Sequence, residues 1–183
     1  MRTGDNPEKI KIGISACLLG HETRYNGQYK GDPFLVNALL PYFDLISICP
    51  EVEMGLSIPR EPMRLVKTNP KEPPRLITKM TETDHTDKLE EWINTRLTQI
   101  DIDELDGYIL KSGSPSCGTG SLDIFDTEGN ISEKNGIGFF ARALMKRFPS
   151  IPVEEDRRLH NDEVRENFIR QVLTKKDKRH INE

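Results

Sequence analysis

The chain has 183 residues, of which 35% are hydrophobic and 31% charged, with a net charge of −4. That length supports one domain burying roughly 70% of its unfolded surface, with no disulfide or metal needed merely to fold. The acidic balance excludes a global pull toward nucleic acid or anionic membrane, and no apolar run nears the ~20 residues of a spanning helix.

Residues 9–17, KIKIGISAC, are a β-branched apolar run that predicts a strand ending at Cys17. A polar loop follows, LLGHETRYNGQYKG. Asp32 as N-cap and Pro33 at the first helical position then open a helix in DPFLVNALLPYF. DLISICP predicts a second strand, closed by Pro50 just after Cys49. Beyond the Pro-rich EMGLSIPREP, MRLVKT and RLITKM read as a small hairpin or two short edge strands. Leu89, Trp92, Ile93, Leu97 and Ile100 recur at helical spacing and predict a helix over 86–100. GYILK (107–111) is a further strand and runs directly into SGSPSCG. After SLDIFDTEGNISEK, the positions of Ile137, Phe140, Ala141, Leu144 and Phe148 predict a helix near 137–147. SIPVEE makes a last strand and NDEVRENFIRQVL a last helix. The expected organisation is an N-terminal extension at 1–9, one α/β domain at 10–174 and a polar tail at 175–183 that frays.

Strands alternating with 10–15-residue helices imply right-handed βαβ units and a mostly parallel sheet flanked by helices. In such sheets ligands sit outside the carboxyl ends of the strands. Cys17 and Cys49 each end a strand, and Cys117 lies in the loop after one. If the strands are parallel, all three thiols face one crevice, however distant in sequence.

Three scattered cysteines, an odd number with no C-x-x-C pair, do not make a disulfide framework. Four readings stand open. Three unrelated buried thiols are one, because free Cys behaves as a small hydrophobe. A zinc site is the second. A structural zinc lacks an obvious fourth ligand, His21 being the nearest of the four His, whereas a catalytic zinc with an open position needs only three. A nucleophilic Cys117 is the third, and an iron–sulfur cluster the fourth. Soft thiolates suit iron–sulfur or zinc alike, and three Cys on a four-iron cluster leave one iron open.

ISACLLGHETRYNGQYK, CPEVEMGLSIPREPMRLV, KSGSPSCG and GIGFFARALMKRFP resemble, in order across roughly residues 10–170, the signature blocks of the thiouracil desulfidase family. The resemblance implies a Rossmann-like fold and a 4Fe–4S cluster held by Cys17, Cys49 and Cys117. The fourth iron is then open to sulfide or substrate sulfur. The implied reaction turns a thiouracil-type C=S into C=O and releases sulfide. Its substrate is a small thiolated nucleobase or nucleotide, with no DNA or membrane partner, and the expected location is the cytoplasm. A cluster-dependent sulfur carrier and a non-catalytic zinc- or cluster-binding module are the competing functions.

The resemblance also points to Glu53 and Ser116 as the catalytic pair. Glu51 is the rival carboxylate, and an extended segment would put it on the same face as Glu53. Ser112 and Ser114 have weaker claims than Ser116. Arg24, Lys30, Arg60 and Arg64 lie in loops expected around the crevice, where each is a candidate for an anionic base or phosphate. Tyr25 is a candidate stacking surface. Gly136 and Gly138 open a helix and either present N–H groups to an anion or serve a turn.

Overall fold

The apolar run at the start of the chain becomes the centre of a parallel sheet. In the computed structural model, which describes residues 9–27, 31–39, 42–99 and 105–181, β1 (Ile10–Ser15) pairs in parallel with β2 (Phe43–Ile48) and β5 (Gly107–Leu110). β8 (Val153–Glu155) adds to the far side of β5, giving the order β2-β1-β5-β8. Between them run α1 (Pro33–Leu39), the single turn α2 (Pro50–Glu53), α3 (Thr86–Gln99) and α4 (Phe139–Arg147), and α5 (Asp162–Ile181) follows β8.

Alternation along β5 shows how the layers form, because successive side chains leave a strand on opposite faces. Tyr108 and Leu110 join one core cluster with Leu89, Ile93, Phe140 and Leu144 of α3 and α4. Ile109 joins a second with Leu35 of α1 and Phe168 and Val172 of α5. Helices therefore cover both faces, and all four β5 residues are buried. Gly13 stands in register with Tyr108, and a Cβ there would sit 2.3 Å from the Tyr108 ring. The glycine makes the space that the ring fills.

A second sheet was not expected. It has the order β4-β3-β6-β7 and combines β3 (Met63–Val66), β4 (Arg75–Thr78), β6 (Thr119–Phe125) and β7 (Ile131–Ile137). β3 and β4 take the first of their two expected arrangements, an antiparallel hairpin, whereas β6 and β7 make a hairpin out of the segment read as a connection. Met63, Leu65, Leu76, Leu122 and Ile124 pack into the α3–α4 core cluster, so both sheets share one interior.

Other expectations resolve individually. Asp32 caps α1 through its carboxylate, which accepts the Leu35 N–H at 3.1 Å. α3 covers the predicted stripe, with Ile100 outside the described residues. α5 extends past residue 175 to Ile181, through a stretch rich in Lys and Arg, which are good helix formers. No described helix is long and apolar enough to cross a membrane.

Candidate active site

β1, β2 and β5 are neighbours with a common direction, so their carboxyl ends open at one edge of the sheet. Cys17 lies just past β1 in a short 3-10 turn, Ala16–Leu19, rather than on the strand itself. Cys49 follows β2 as the N-cap of α2. Cys117 sits in the loop after β5. All three line a single cavity of about 270 Å³, together with Arg24, Tyr25, Glu51, Arg60, Lys111 and Ser114 among others. The predicted convergence of thiols is present.

The loop bearing Cys117 is fixed from behind by α4. Phe139 N–H donates to Pro115 O at 3.3 Å, and Phe140 N–H to Ser116 O at 2.9 Å. Gly138, the N-cap of α4, donates to Gly118 O at 2.8 Å, so its N–H serves the loop and not an anion. A Cβ on Gly138 would lie 2.5 Å from Ser116 C and O. Gly138→Ala is therefore expected to push the Cys117 loop outward, at about 1–3 kcal/mol for the overpacking. Urea unfolding checks the cost, and iron retained after reconstitution checks the displacement.

The thiols are held as a desolvated group. Burial raises Cys17 to about 11, aided by Cys49 and opposed by the Lys111 ammonium. Burial likewise pushes up Cys49 and, further, Cys117. An activated nucleophilic Cys needs the opposite, a depressed value, so the surroundings of Cys117 do not favour attack by its own sulfur. A cationic metal or cluster reverses that balance by stabilising the thiolates. Among the described residues, no three His, Cys, Asp or Glu are gathered closely enough to hold one metal ion. Three thiols around one cavity but too spread for a single ion fit a polynuclear cluster, which is larger than an ion. The donor set, all soft sulfur, suits iron–sulfur chemistry.

The two carboxylates separate. Pro50 at the first helical position starts α2, and positions two apart on a helix point about 200° apart. The extended reading, with both on one face, does not hold. Glu51 lies on the cavity wall. Its Oε2 accepts from Arg60 Nε at 2.8 Å and Nη2 at 2.6 Å, and its Oε1 accepts from Ser116 Oγ at 2.9 Å. Glu53 does not line the cavity. Its Oε1 accepts the Cys49 N–H at 3.1 Å, and its Oε2 lies 3.1 Å from Arg96 Nε, an ion pair rather than an aligned hydrogen bond.

Ser116 is fully buried behind the wall, whereas Ser114 lines the cavity. Ser114 Oγ accepts the N–H groups of Ser116 and Cys117, each at 3.2 Å. Among the cationic candidates, Arg60 and Arg24 line the cavity, and Arg24 reaches over the half-exposed Tyr25 ring at 5.8 Å. Arg64 lines an adjoining cavity, over Phe125 at 5.4 Å. Lys30 lies outside the described residues.

Sequence reading missed Lys111 and Asp156. Lys111 Nζ donates to Asp156 Oδ2 at 2.5 Å, and Ser112 N–H to Oδ1 at 2.7 Å. Both follow strand ends, β5 and β8, so the carboxyl-end rule that selected the cysteines would also have found them. The Lys111 and Ser112 bonds hold the Asp156 carboxyl below the usual range despite burial, which alone would raise it.

The family model for 2-thiouracil desulfurase matches residues 12–156. The uncharacterized protein YbbK of Bacillus subtilis (strain 168) is 32% identical over 142 residues, 74% of this chain and 89% of its own. The solved structure of the 4Fe-4S-dependent thiouracil desulfidase TudS superposes with a TM-score of 0.62 at 32% identity, covering 82% of this chain and 93% of that one.

Proposed function

We propose that this chain, which belongs to the 2-thiouracil desulfurase family, is an iron–sulfur-dependent desulfidase that converts the thiocarbonyl of a thiolated pyrimidine to a carbonyl. The reaction is hydrolytic: water adds its oxygen to the ring carbon, the C–S bond breaks and sulfur leaves as hydrogen sulfide, with no net electron transfer. The observation that supports the reading is the meeting of Cys17, Cys49 and Cys117 around one cavity that Glu51 also lines, its carboxylate accepting the Ser116 hydroxyl.

The three thiolates would hold the cluster, with one iron left without a protein ligand. Bound there, the cluster supplies a Lewis acid that draws electrons from the thiocarbonyl sulfur.

The chain's own residues supply the rest. Glu51 is the base in this reading, replacing Glu53, because Glu51 faces the cavity and Glu53 is spent on the Cys49 turn. A carboxylate offers about four lone-pair positions. Arg60 takes two and Ser116 one, which leaves one on Oε1 for the proton of the attacking water. Ser116 is a positioning residue: its hydroxyl aims Glu51. Ser114 accepts two N–H groups and so keeps its own proton for a partner in the cavity, such as a ring atom that gains charge as water adds. Tyr25 lines the cavity as well. Glu53 holds the amide of Cys49 and so shapes a cluster ligand.

The test is incubation of the anaerobically reconstituted protein with 2-thiouracil and 4-thiouracil. Uracil and hydrogen sulfide formed in equal amounts are expected. Sulfide retained on the protein or passed to an added acceptor, in place of free sulfide, would indicate a sulfur carrier instead, and no product from any thiolated pyrimidine would remove the activity.

A further inference from the structure

Lys111 and Asp156 form an ion pair at the carboxyl ends of β5 and β8 to which the desulfidase reading gives no task. Lys111 Nζ donates to Asp156 Oδ2 at 2.5 Å and to Ser112 Oγ at 3.3 Å. Asp156 Oδ1 accepts the Ser112 N–H at 2.7 Å, and the Asp156 N–H donates to Leu110 O at 3.1 Å. The Lys111 amide donates to Ser15 Oγ at 3.0 Å, so the root of the side chain is fixed too. An ammonium carries three N–H donors, and two are placed. The two partners stand differently toward the cavity. Lys111 and Ser112 line it beside Cys17, and the Lys111 side chain is 20% exposed, whereas Asp156 is 6% exposed and does not line it. The ammonium reaches Cys17 electrostatically and favours its thiolate. Of the other cations around the cavity, Arg60 is bound to Glu51 and the Thr23 carbonyl, Arg24 lies over the Tyr25 ring and Lys79 is exposed. Lys111 is the one that is both held in place and left with a donor.

We propose that the third Lys111 N–H receives the sulfur as it leaves the ring, which makes Lys111 a catalytic residue and the hydrosulfide site of the cavity. The inference rests on the desulfidase reading and adds to it a group for the leaving sulfur. Once water has added, the C–S bonding pair departs with sulfur, which carries negative charge until it gains protons. Both protons come from the attacking water, one through Glu51 and one from the new hydroxyl. Lys111 therefore keeps its own proton, and no electron changes hands. A compact ammonium suits a single-atom anion, where the planar fork of arginine suits a carboxylate or phosphate. Donors fixed in advance where charge develops stabilise it without reorganising. Asp156 and Ser112 supply that fixing here.

Sodium sulfide is titrated into the anaerobically reconstituted protein and its Lys111→Gln and Asp156→Asn variants, with binding read from the visible spectrum and from inhibition of turnover. Glutamine keeps a donor for Asp156 and loses the charge. Lys111→Gln is expected to bind sulfide about tenfold or more weakly, the size of one charge-assisted hydrogen bond, and to lose about 10²-fold in kcat. Asp156→Asn removes the competing anion and should bind sulfide about threefold more tightly. Weakening confined to Lys111→Gln sustains the proposal. Affinity unchanged in Lys111→Gln, or weakened equally in both variants, would mean that the pair only braces the strand ends and would overturn it. Absence of sulfide binding to the loaded wild type would overturn it as well, as would loss of the fold or cluster in both variants. If one variant alone fails to load, the other decides: weaker binding in Lys111→Gln or tighter binding in Asp156→Asn sustains the proposal, and any other result ends it. If the loaded wild type releases no sulfide from 2- or 4-thiouracil, the desulfidase reading fails, while the titration still decides whether Lys111 holds hydrosulfide.

Discussion

Glu51→Gln is expected to load its cluster normally and lose about 10²–10⁴-fold in kcat, the usual contribution of a positioned general base. The amide is nearly isosteric and its oxygen can still accept from Ser116 Oγ, so the loop beside Cys117 keeps its tie. It cannot take a proton from water, and it leaves Arg60 without its anion. The pair is mostly buried, with side chains 7% and 13% exposed, and breaking such a pair costs about 3–5 kcal/mol. A lower melting temperature should therefore accompany the lost turnover. Glu53→Gln is the control. It retains an oxygen for the Cys49 N–H and should stay within about threefold of wild type once loaded, since its other contact is a half-exposed ion pair with Arg96. Iron content, melting temperature and sulfide release on the two variants distinguish the roles. A fully loaded Glu53→Gln that is inactive beside an active Glu51→Gln would return the base assignment to Glu53.

Cys117→Ser is the second large effect: complete loss of the cluster and of activity with the fold retained. Cys117 is 4% exposed and is fixed by the α4 N-terminus, so no other side chain can swing into its place. A serine hydroxyl is a hard, weakly acidic donor where a soft thiolate is needed. The smaller oxygen can bond Ser15, whose hydroxyl already serves the Cys117 side chain. Structural damage should thus be slight. Near-native melting of the metal-free variant, without iron or brown colour after reconstitution, is the expected pair of results. Wild-type iron in Cys117→Ser would remove it from the ligand set.

Much of this site could be read from the sequence because one rule of topology did the placing. Three short apolar runs gave β1, β2 and β5, parallel pairing aligned their ends, and the cysteines followed. The second sheet escaped because β7, ISEKNGI, has Gly136 as its sole buried residue and carries no apolar alternation. Its partner β6 alternates only at Leu122 and Ile124, too short a signal beside the turn residues around it. The carboxylates were misaligned for a different reason. Four residues of α2 are too few to show a helical period, and only Pro50 after Cys49 hinted at a helical start. Whether Glu51 or Glu53 meets Ser116 depends on that one turn. The role of Ser114 depends on which neighbours have already claimed its acceptor positions, and residue order carries no trace of that.

Cys17, Cys49 and Cys117 are proposed to hold one iron–sulfur cluster together at the cavity all three line. Iron, acid-labile sulfide and zinc, counted per chain after anaerobic reconstitution, test it most directly, with wild type set beside the three single Cys→Ser variants. About four irons and about four sulfides per wild-type chain are expected, falling to near zero in each variant. Stoichiometric zinc with iron far below four, or a full cluster surviving the loss of any one of these cysteines, would contradict it.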